Sequence, residues 1–201
     1  MVIPGMIVFW IPLIVVVVVL LWLWRKMLLN EPLEISKLKN VTIIIVGIYV
    51  LKMIFQVGLL YYSLKQNPLG MYLLPGQGTN YFAQSVWLLI QPLVLGILVG
   101  SGLVLLALAV KRLTKRPWFD LTDYFILFIT GFLMGFPNVL LLLVGSLLLM
   151  IIWQIFVLLL LKRTLEERLS LSPFLILVTV IHLILINFDF YQQFLTTLRL
   201  R

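Results

Sequence analysis

Nineteen consecutive residues, Met6–Trp24, carry no charge, and Arg25 and Lys26 follow at once. At about 1.5 Å of rise per helical residue, such a run is about 28 Å long, close to the ~30 Å hydrocarbon core of a bilayer. Similar apolar segments recur at 41–62, 82–110, 117–135, 138–161 and 173–190. Only Gly-Phe-Pro-Asn at 135–138 separates the fourth from the fifth. A helix over both would be too long for one crossing, so Gly135 and Pro137 are expected to form a tight turn. With 63% hydrophobic residues and a mean hydropathy of +1.19, the chain has more apolar surface than a soluble domain of 201 residues can hide. The expectation is an all-α polytopic protein, a single membrane domain over residues 1–201 with six transmembrane helices. Pro12 and Pro92 are expected to kink the first and third, as membrane helices tolerate.

The formal charge of +8 is distributed over loops rather than gathered in one patch. Arg25, Lys26, Lys37 and Lys39 lie between segments one and two. Lys111, Arg112, Lys115 and Arg116 follow segment three, and Lys162, Arg163 and Arg168 follow segment five. The opposite side has Lys65, Arg199 and Arg201. This bias predicts a cytoplasmic (inner) membrane protein with both termini outside, and points away from nucleic-acid binding. Trp22, Trp24, Trp118 and Tyr124 fall at the expected inner interface. The first segment lacks a positive leader and a small-residue cleavage site, so it reads as a retained span. Without cysteine there is no disulfide, thiolate nucleophile or Cys-ligated metal.

The polar residues within these segments are the candidate site. Asp120 and Asp123 open the fourth segment, beside four cations. Pro117 suits a first helical position, and acids are favoured near a helix N-terminus, so these two can simply start a helix. They can also be catalytic, since aspartyl proteolysis uses two neighbouring carboxylates, one ionised and one kept protonated. Residues three apart on a helix have Cβ atoms about 5–6 Å apart. Lys52 lies mid-span, with Tyr49 and Gln56 about a turn away on either side. A mid-membrane lysine costs about 2.5–3.5 kcal/mol on insertion scales, so it should face the bundle interior, either in a polar cavity or bonded to an amide or carbonyl. His182, the only histidine, is expected to bond across helices, to Gln154 or Gln91, or to serve in a proton relay. A single histidine makes a poor metal site, so neither metal nor cofactor is expected. Gly96/Gly100 and Gly131/Gly135 have the spacing that lets membrane helices approach closely. Signatures for nucleotide binding, serine hydrolysis and zincins do not occur.

From the third segment onward the chain resembles the membrane domain of type IV prepilin peptidases and archaeal preflagellin peptidases. The stretches that carry the resemblance are LGILVGSGLVLLALAVKRL, the basic loop, the Asp opening the next segment, FILFITGFLMGFPNVLLLLVGSLLLMIIWQIFVLLLLKR, and SPFLILVTVI at 172–181. The resemblance implies a six-span aspartic endopeptidase. Asp123 matches the second catalytic aspartate, although Leu121-Thr122 stand where the family pattern Gly-x-Gly-Asp has x-Gly, and Asp120 where it has its first Gly. Leu23 stands where the first aspartate belongs. The resemblance therefore implies a member without proteolytic activity, a pseudoenzyme that handles hydrophobic helices with basic leaders in a type IV pilus or secretion context. Two other readings are an active aspartyl peptidase with an unusual pair, Asp123 with Glu31 or Asp120, and a small transporter or scaffold subunit using Lys52, Gln56 and His182.

Overall fold

The computed structural model describes residues 3–29, 34–75, 80–115, 119–161 and 170–197. They form seven α-helices: α1 (Ile3–Leu28), α2 (Ile35–Gln66), α3 (Tyr81–Thr114), α4 (Leu121–Met134), α5 (Asn138–Leu161), α6 (Ser172–Leu185) and α7 (Asp189–Thr197). A 3₁₀ turn, Gly70–Leu73, lies between α2 and α3.

Four helices, α1, α2, α3 and α5, are long and apolar enough to cross a membrane. The other two apolar helices, α4 and α6, have 14 residues each, about 21 Å at helical rise. Length correlates with position. α4 packs against α2, α3, α5 and α6, and α6 packs against α1, α4 and α5. Seven residues of α4 and seven of α6 are buried, whereas α2 buries only Leu38 and Ile45. The short helices thus form the centre and the long ones the outer shell. The core joins Val16, Leu20 and Leu23 of α1 to Ile126 and Ile129 of α4 and to Leu175 and Ile176 of α6.

The closest helix pair is α3–α4. A Cβ on Gly100 would lie 2.7 Å from the Phe128 carbonyl oxygen, and one on Gly131 would lie 2.8 Å from the Gly100 Cα. Only glycine permits that backbone approach. The turn after α4 also needs glycine, because Gly135 has φ +62°. The Phe136–Pro137 peptide is cis.

Several boundaries differ from the sequence reading. α2 and α3 run longer than segments 41–62 and 82–110: α2 gains residues 35–40, with Leu38 fully buried in the core, and 63–66, and α3 gains Tyr81 and residues 111–114. The fourth helix begins at Leu121, later than the expected 117, because Asp120 is its cap; residues 116–118 lie outside the described chain. The sixth segment, expected to be one helix over 173–190, ends at Leu185. Asn187 causes the stop: its side-chain amide donates to the Leu183 and Ile184 carbonyls at 3.0 and 3.3 Å, occupying acceptors that a further helical turn would use. The chain then turns back as α7, whose Leu195 is fully buried.

Candidate functional site

The bundle brings Asp123 to the start of α6, 49 residues away in sequence. Asp120 and Asp123 form a reciprocal capping box: the Asp120 backbone N–H donates to Asp123 Oδ2 at 2.9 Å, and the Asp120 side chain accepts from the N3 backbone N–H. The other carboxylate oxygen, Oδ1, accepts from the Ser170 hydroxyl at 3.2 Å and from the Ser172 hydroxyl. Ser170 Oγ in turn accepts from the Ser172 backbone N–H at 3.3 Å. Ser172 is 1% exposed. One carboxylate therefore satisfies an N-cap donor of α4 and fastens that cap to the N-terminus of α6. A Ser-x-Ser-Pro start to a helix is a recognisable capping sequence, but which acid it would meet is decided by packing.

The arrangement suits fastening better than proteolysis. An aspartyl dyad needs one oxygen for water and a facing carboxylate that shares a proton. Both oxygens of Asp123 are taken by donors belonging to helix starts. Leu23, matching the position of the first aspartate, is a core side chain 1% exposed. Glu31 lies outside the described residues. Asp120 is near Asp123, with its side chain turned to the N3 backbone N–H.

Tyr124, the next residue, packs against Phe119 at 6.4 Å, and the Lys111 ammonium sits 5.8 Å from its ring centroid. The Tyr124 hydroxyl is buried and has no hydrogen-bond partner among the described residues. Among the named interface aromatics, Trp22 is exposed beneath the Lys26 ammonium, 5.5 Å from the ring centroid. Trp24 is partly buried against the core, and Trp118 lies outside the described residues.

Lys52 and His182 occupy separate places. Lys52 is partly buried on α2, its ammonium 5.8 Å from the centroid of Tyr49, which meets Phe132 of α4 edge-on at 5.5 Å. Gln56 follows one turn later on α2, partly buried. His182 is 4% exposed, and its Nδ1 lies 2.7 Å from the Tyr191 hydroxyl. Its partner is thus α7, rather than Gln154 or Gln91, because the break at 186–188 returns the chain over the end of α6. Burial against α6 raises the Tyr191 phenol above its ordinary value. Tyr191 had no signal in hydropathy; the i, i+9 spacing pairs with His182 only after a reversal. Among the described residues no group of three or more His, Asp or Glu is arranged to hold a metal ion.

α1 and the α6–α7 junction enclose a groove of about 360 Å³, lined by Trp10, Leu13, Ile14, Val18, Ile184, Asn187 and Phe188. Comparison with protein-family models, curated proteins and solved structures finds no match to this chain.

Proposed function

We propose that the protein is a multi-pass membrane protein, prepilin-peptidase-like in layout, that holds hydrophobic helices of other membrane proteins without cleaving them. The observation that carries this reading is the Asp123 carboxylate, both of whose oxygens accept hydrogen bonds from helix starts. A carboxylate used in this way stabilises the bundle and is poorly placed to activate water. The apolar groove between α1 and the α6–α7 junction, where Ile14 and Val18 are exposed, is the place where a guest helix would lie. In this reading all six apolar helices cross the inner membrane, the two short ones shielded by the four long ones. The bias of Lys and Arg towards one end supports termini on the outer side.

The test uses the full-length protein in detergent with a single-span, prepilin-like peptide. A photoreactive residue at Val18 should crosslink to the apolar helix of the peptide, whether its leader is basic or neutral, and the peptide should remain intact. Cleavage that disappears in Asp123→Ala would instead establish an active aspartyl peptidase. Absence of crosslinking with an intact fold would remove the helix-holding role.

A further inference from the structure

The topology places the ends of α1, α3 and α5 beside the starts of α2, α4 and α6. Arg25 and Lys26 finish α1, Lys39 lies in the first turns of α2, and Lys111 and Arg112 finish α3. These cations share one end of the bundle. The described carboxylates at that end are already engaged. Glu34 pairs with Lys37 at 3.2 Å, and Asp120 and Asp123 are held in the capping box and by the serines. The opposite end carries one described cation, Lys65.

Beneath the cations run exposed apolar stripes at helical spacing. On α3 these are Leu98, Leu105 and Leu108, ending at Arg112, and on α1 they are Ile14, Val18 and Leu21, ending at Arg25. Steps of three, four and seven keep each set on one helix face. Trp22 and Tyr124, amphipathic rings suited to a membrane–water boundary, lie under the Lys26 and Lys111 ammoniums. A stripe that accepts an acyl chain, topped by a cation at the depth of the phosphates, matches one molecule in both of its parts. We infer that this end of the bundle is a binding surface for anionic phospholipids, their acyl chains along α1 and α3 and their headgroups on Arg25 and Arg112 with the neighbouring lysines. An acidic soluble peptide would use the cations and leave the stripes unexplained.

The experiment is tryptophan quenching in vesicles by brominated phosphatidylglycerol against brominated phosphatidylcholine, at low and high salt. The wild type should prefer phosphatidylglycerol, and salt should weaken the preference. Each neutralised cation should reduce it by up to about fivefold, so Arg112→Gln and Arg25→Gln each lower it and their combination lowers it further. Lys65→Gln should leave it unchanged. All three side chains are exposed, and circular dichroism checks that each variant keeps its helices. Equal quenching by the two lipids overturns the inference. So does a preference that survives both arginine changes, or one abolished by an added acidic peptide that binds wild type in uncharged phosphatidylcholine vesicles.

Discussion

Replacing Asp123 by alanine removes two kinds of interaction at once. The Asp120 backbone N–H loses its acceptor at 2.9 Å, a capping loss of about 0.5–2 kcal/mol. The Ser172 hydroxyl, on a residue 1% exposed, loses the carboxylate it donates to, at about 1–3 kcal/mol for a buried donor left unmade. Ser170 is exposed and turns to water at little cost. The expected destabilisation is therefore about 1.5–5 kcal/mol. Asp123→Asn keeps one carbonyl oxygen as an acceptor and should lose less. Ser172→Ala removes the donor together with its need for a partner, and should cost about 1 kcal/mol. In the double variant the orphaned hydroxyl no longer exists, so its destabilisation should fall short of the sum of the singles by about 1–2 kcal/mol. Equilibrium unfolding in mixed micelles, followed by circular dichroism, measures all four. An Asp123→Ala protein as stable as wild type, or strictly additive singles, would refute the fastening role and return Asp123 to the catalytic candidates.

Gly100→Leu should destabilise the α3–α4 contact by at least about 1–3 kcal/mol, because its Cβ meets the Phe128 carbonyl rather than a movable side chain; Gly102→Leu, with open space before it, should unfold like wild type in the same micelle titration. Tyr191→Phe leaves His182 Nδ1 without its 2.7 Å partner, and should cost about 1–3 kcal/mol and speed proteolysis at the α6–α7 turn. Unchanged digestion rates would show that α7 is held by Leu195 and its neighbours alone.

The apolar runs of the sequence correspond to helices because each is long enough to satisfy its backbone internally. The fifth starts at Asn138, directly after Pro137. The fourth and sixth were harder. Their boundaries depend on side chains, Asp120 capping one and Asn187 stopping the other, and hydropathy is blind to both. The capping role of Asp120 and Asp123 could be read locally, since acid at N-cap and N3 is a known pairing. That the same carboxylate would also take the hydroxyls of Ser170 and Ser172 could not, because 47 and 49 residues and a whole membrane helix intervene.

The sequence by itself determined that this chain is helical and apolar enough for a membrane, and where its cations collect. Charge and length act locally, so they can be read along the chain. Only the tertiary structure decided that α4 and α6 are the centre and the other apolar helices the shell. Lipid and protein interior are equally apolar, so hydropathy gives a leucine facing lipid the same score as a leucine in the core. The distinction comes from shape: Gly100 against Gly131 lets two backbones touch, and the buried Ser172 meets Asp123 only once those helices have packed.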